Sequence, residues 1–137
     1  MLHDEIVRDR AFELARYRLQ VAEEDLEVAK DNFGKDYFRA ANNRAYYSIY
    51  HSITAVLALE GTAFKRHKDT LAYFNKEYVK PEIFPRELGH QISVAEEVRH
   101  SSDYDEFYIA SKEESERQII CADNLLQAVR QYIAEKK

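Results

Sequence analysis

Asn42-Asn43-Arg44-Ala45-Tyr46-Tyr47-Ser48-Ile49-Tyr50-His51 is the stretch on which the fold turns. It sits inside a segment, roughly Tyr37 to Leu59, that reads as one helix. Arg44 and His51 are seven positions apart, two helical turns less about 20°, so both project from one face about 10 Å apart along the axis. Helical side chains lean toward the N-terminus, which tilts His51 back toward Arg44. Arginine is rarely buried without a partner, so its place on this stripe needs a reason. One reading is functional: a cation and an imidazole among tyrosines can grip a phosphate and move a proton. The other is structural. Arg44 then pairs with a carboxylate of the first helix, and His51 is a satisfied core histidine. The spacing alone decides nothing, because 11 arginines and 5 histidines in 137 residues make such a match common.

The flanking segments supply the rest of a bundle. The first helix is expected from about Asp4 to Asn32, with Val7, Ala11, Leu14, Ala15, Ala22, Leu26 and Ala29 on one stripe and Arg18 its one charged member. Gly34 is expected as its left-handed cap, and Gly61 closes the second helix. A third helix is expected from about Asp69 to Val79, stopped by Pro81. Pro85 suits the first turn of a fourth helix reaching about His100, with Leu88, Ile92, Ala95 and Val98 inward. Ser101 to Tyr108 reads as an acidic, aromatic connection. Ser111-Lys112-Glu113-Glu114 has the form of a capping box. The last helix runs to about Glu135 on a seam of Ile119, Ala122, Leu126, Val129 and Ile133. The expected fold is an all-α antiparallel bundle of four to five helices, with residues 1–137 as one domain.

Composition narrows the function. Charged residues make up 33% of the chain and apolar ones 45%, and Gly and Pro number only 3 and 2, a globular, helix-favouring mixture. No apolar run is long enough for a membrane span, and the N-terminal residues lack the pattern of a signal peptide. One cysteine, Cys121, excludes an intrachain disulfide and a multi-cysteine zinc site. A reducing cytoplasm is the expected setting. The formal net charge of −5 argues against a broadly cationic nucleic-acid surface. A local patch would have to serve, and Lys65-Arg66-His67-Lys68 is the one basic cluster.

Other candidates have bland counterparts. Tyr46, Tyr47 and Tyr50 are a packing stripe or a dimer interface, or else platforms for a base. Arg99 is a helix-end partner of Asp103 or Asp105, or a second cation at the cleft of Arg44 and His51. No compact metal-ligand set, Gly-rich phosphate loop or nucleophile elbow is present, so no metal or other cofactor is expected. Cys121 is expected to be buried and apolar in character.

Taken together, several segments resemble a known family. They are Asn43 to His51, Leu57-Ala58-Leu59-Glu60-Gly61, Lys65 to Lys68, Phe74-Asn75-Lys76-Glu77-Tyr78-Val79, and Ala95 to Tyr104. The chain resembles a HEPN domain (higher eukaryotes and prokaryotes nucleotide-binding) of the small stand-alone prokaryotic kind, over nearly its whole length. The resemblance implies a helical bundle that forms a homodimer, and a metal-independent ribonuclease whose Arg-x(4–6)-His motifs meet across it. It also implies a toxin whose antitoxin is a nucleotidyltransferase. Arg44 and His51 match that motif and would be catalytic. Asn43, Tyr47, Lys65, Arg66, Lys68, Arg99 and Tyr104 would bind nucleotide or RNA. Ala45 stands where the family's nucleases often have a polar residue, and Ile53 where some toxins carry a modifiable tyrosine. The alternative is a non-catalytic module that binds a nucleotide or partners a nucleotidyltransferase.

Overall fold

Small residues at one face set how closely the first two helices approach. Ala15, Ala22 and Ala29 recur every seven residues and are completely buried, as are Ala41, Ala45, Ser48 and Ala55. Ser48 Oγ donates to the Ala22 carbonyl at 2.7 Å, which ties the two backbones together. The computed structural model describes residues 2–137 and arranges them as α1 Leu2–Gly34, α2 Phe38–Leu59, α3 His67–Phe74, α4 Arg86–Tyr104 and α5 Lys112–Lys136. A π-helical turn, Asn75–Val79, continues α3. No strand occurs among the described residues, and the chain forms an all-α helical bundle. None of these helices is long and apolar enough to cross a membrane.

α1 and α2 form the most extensive pair, with α5 against both. The 33 residues of α1 span about 50 Å. The core is filled by Tyr46, Ile49, Ile53, Val56 and Leu57 from α2 and by Leu125, Leu126 and Val129 from α5. Phe74, Leu88 and Ile92 close it on the α3–α4 side. Cys121 of α5 is buried in the same core, and burial pushes its thiol up to about 12. Gly89 lets α4 reach the π-helical turn, since a Cβ at that position would lie 2.5 Å from Val79 Cγ1.

Several element ends depart from expectation. Gly34 is the last residue of α1, not its left-handed cap. That conformation falls to Asp36, with φ 62°, because the backbone bonds of Lys35 carry the turn one step further; aspartate tolerates it better than most side chains. Gly61, at φ 72°, closes α2 as expected. Its N–H bonds the Ala58 carbonyl and the Thr62 N–H that of Leu57, the paired bonds of a Schellman end.

α3 starts at His67, two residues before the expected Asp69. α4 runs four residues past His100, so Ser101 to Tyr104 are helical rather than connecting. The Arg99–Asp103 ion pair and the buried Ser102 hold this extra turn. Half of the capping box forms: Ser111 Oγ accepts from Glu114 N at 3.1 Å. The Glu114 carboxylate is engaged instead by the Tyr108 hydroxyl and by Asn42.

Candidate functional site

The stripe of α1 that packs on α2 carries one carboxylate. Asp25 lies between Ala22 and Ala29, is 8% exposed, and faces both residues of the motif. Its Oδ2 is 2.9 Å from His51 Nδ1 and its Oδ1 is 3.3 Å from Arg44 Nη1. The first-helix carboxylate required by the structural reading is therefore present. Yet neither partner is sealed in. The Arg44 side chain is 50% exposed and that of His51 23%.

The geometry fixes the imidazole. A carboxylate only accepts hydrogen bonds, so the proton of neutral His51 sits on Nδ1 and its Nε2 carries the free lone pair. A buried carboxylate needs such partners to offset its desolvation, and charge-assisted bonds are the strong kind. Arg44 spends one of its donors on Asp25 and leaves the others at the surface. Held this way, the three residues can bind an anion beside a base.

Asp25 was missed by the sequence reading. The signal was there, because positions 22, 25, 26 and 29 share one face and only Asp25 among them is charged.

The next turn of α2 presents the tyrosines. Tyr46 is buried, while Tyr47 and Tyr50 are half-buried. Tyr47 stacks on His51 at 6.2 Å and Tyr50 meets it edge-on at 5.7 Å. Arg99 reaches over from α4 to lie above the rings of Tyr46 and Tyr47, at 4.8 and 5.6 Å. It also pairs with Asp103 at 3.6 Å, the helix-end partner that the structural reading named. Burial alone would lower the Arg99 guanidinium, but the tyrosines and Asp103 outweigh it and the net shift is upward.

The remaining candidates spread out. Asn43 and Arg44 line an open groove of about 900 Å³ that also takes in Tyr37, Arg39, Ser102 and Asp103. Arg39 Nε donates to Ser102 Oγ at 3.1 Å across it. Lys65, Arg66 and Lys68 are exposed; Arg66 pairs with Asp69 at 3.0 Å, and Lys68 borders a separate cavity toward α4. Their neighbour His67 turns inward instead, onto the tyrosines. Tyr104 is 76% exposed and packs on His100. Ile53, two residues past His51, is wholly buried. Among the described residues, no group of three or more His, Cys, Asp or Glu side chains is placed to hold a metal ion.

Comparisons with known proteins agree with this architecture. A family model described as "HEPN domain" matches residues 15–132, a span that contains Asp25, Arg44, His51 and His67. A Thermotoga maritima protein named "UPF0332 protein" is 31% identical over 124 residues, covering 90% of this chain and 94% of that relative. A Methanocaldococcus jannaschii protein named "Putative toxin MJ0142" is 28% identical over 118 residues, covering 86% of this chain and 80% of its own. A second protein from that organism, "Putative toxin MJ0605", is 31% identical over 86 residues, 63% of this chain and 64% of that one.

Proposed function

The chain belongs to the HEPN domain family, and from that premise we propose that it is a toxin-type ribonuclease in which Asp25, Arg44 and His51 form the reacting centre. One observation carries the reading: a single buried carboxylate orients the imidazole and the guanidinium and leaves the working atoms of both toward solvent.

The chemistry follows from the atoms. His51 Nε2 takes the proton of a ribose 2′-hydroxyl. That oxygen attacks the adjacent phosphorus, and the bond from phosphorus to the 5′-oxygen breaks. The products are a 2′,3′-cyclic phosphate and a 5′-hydroxyl. The leaving oxygen needs a proton, which the second copy of the motif supplies in a homodimer. Arg44 binds the phosphate and stabilises the charge that builds on its oxygens. The three residues need no metal for these steps. Residues 1–137 act as one domain in the cytoplasm, and the antitoxin is a nucleotidyltransferase. The names of two relatives support the toxin assignment.

The same ion pair favours a second reading. Asp25 already engages both partners, as it would in a non-catalytic module that binds a nucleotide or docks on a nucleotidyltransferase. Incubating purified protein with single-stranded RNA in excess chelator separates the two. Cleavage to cyclic-phosphate ends, lost in His51→Ala, supports the ribonuclease. Intact RNA with retained nucleotide binding supports the module.

A further inference from the structure

His67 opens α3, and its ring folds back onto α2. It stacks on Tyr50 at 3.9 Å, with 20° between the planes, and meets Tyr47 edge-on at 6.0 Å. These are the two rings that also flank His51. Two imidazoles therefore share one pair of tyrosines on one face of α2.

Their Nδ1 atoms are engaged by different partners. Asp25 fixes the His51 proton on Nδ1. His67 Nδ1 is 3.1 Å from the Tyr46 hydroxyl. Burial, against the pull of Arg99, pushes that hydroxyl up to about 12, so it keeps its proton and has one to offer to Nδ1. Burial, then Arg99 and His51, hold His67 below its ordinary range, which favours the neutral ring. With Nδ1 accepting from Tyr46, the ring proton of His67 sits on Nε2. No hydrogen bond within the described residues engages that Nε2–H, and the ring is only partly buried. A core histidine satisfied on both nitrogens would look different. In that arrangement the two free Nε2 atoms have opposite character, an acceptor on His51 and a donor on His67.

We propose that His67 is a phosphate ligand of this site, donating its Nε2–H to a non-bridging oxygen of the group that Arg44 and His51 address. The proposal rests on the ribonuclease reading only for the identity of the bound group. Tyr46 is then a positioning residue that acts through His67. A neutral donor also suits the location, because a second cation there would be repelled by Arg99.

Long-range proton–nitrogen spectra of the ¹⁵N-labelled protein, assigned with a His67→Gln variant and titrated with inorganic phosphate at neutral pH, test this. The expected result is an Nδ1–H pattern for His51, an Nε2–H pattern for His67, and shifts of both rings along one saturation curve. Tyr46→Phe, which keeps the buried ring, should scramble the His67 tautomer and weaken phosphate binding by about three- to tenfold, the scale of one hydrogen bond. An Nδ1–H pattern on His67, or a titration that moves His51 alone, overturns the proposal and leaves the ribonuclease reading standing. A titration that moves neither ring overturns both.

Discussion

His51 Nδ1 donates to Asp25 Oδ2 at 2.9 Å, across the seam between α2 and α1. The bond joins a partly exposed imidazole to a carboxylate that is nearly closed off from water. A histidine so held has one nitrogen committed and one available. That is the requirement for a proton-transfer group and not merely for a packed ring.

Arg44 should contribute to anion binding more than to the fold. Its side chain is half exposed and its ion pair is partly solvated, so Arg44→Ala should change stability by less than about 1 kcal/mol. Phosphate or RNA affinity should fall by about tenfold or more, because a charged donor is lost. Thermal melts alongside binding titrations read both. Collapse of the fold with unchanged binding would make the arginine structural.

The tyrosine face should bring two copies together. Tyr47 and Tyr50 are half-buried within one copy, leaving aromatic area for a partner. Light scattering at high micromolar concentration should report twice the mass of one chain, and Tyr50→Glu should halve it. A monomer under those conditions would contradict the homodimer.

Glu60 should contribute to acid stability. Burial on its own would raise its carboxyl, but hydrogen bonds from Tyr73, Tyr78 and Thr62 outweigh it and hold the group below 4.5. A depressed carboxyl stabilises the fold above the unfolded-state value, and that contribution is lost as pH falls through the folded-state one. The melting temperature should therefore drop below about pH 4.5, and Glu60→Gln should flatten the drop. Parallel curves for the two proteins would argue against this role.

Gly89 should resist enlargement. Its missing Cβ makes room for Val79, a stiff and buried side chain. Overpacking of about 1–3 kcal/mol should exceed the roughly 1 kcal/mol that alanine gains as a helix former. Gly89→Ala should lower the melting temperature by about 3 °C. A rise would show that α4 can shift at no cost.

The helices were legible because their apolar residues repeat at helical spacing over long runs. Ala122, Leu126, Val129 and Ile133 of α5 are buried as that spacing requires. Ends were less legible. Ser101-Ser102-Asp103 resembles a helix stop, since such side chains compete for backbone groups. In the fold, Arg39 from α2 binds Ser102 and the helix continues. The site was half legible. Arg44 and His51 share a face by arithmetic alone, but Asp25 meets them only once α1 is laid antiparallel on α2. The basic loop shows the limit most clearly. Four consecutive polar residues have no periodicity to orient them, so nothing in their order tells that His67 points in while Lys65, Arg66 and Lys68 point out.

Whether Asp25 and His51 work as a unit is decided most directly by a double-mutant cycle on RNA cleavage. Rates are measured in chelator for the parent, Asp25→Asn, His51→Ala and the double variant, with circular dichroism confirming that all four are folded. If Asp25 acts by orienting His51, each single change costs about 100-fold or more, and the double variant is no slower than His51→Ala. Losses that multiply, or cleavage that survives in His51→Ala, would contradict a catalytic Asp25–His51 pair.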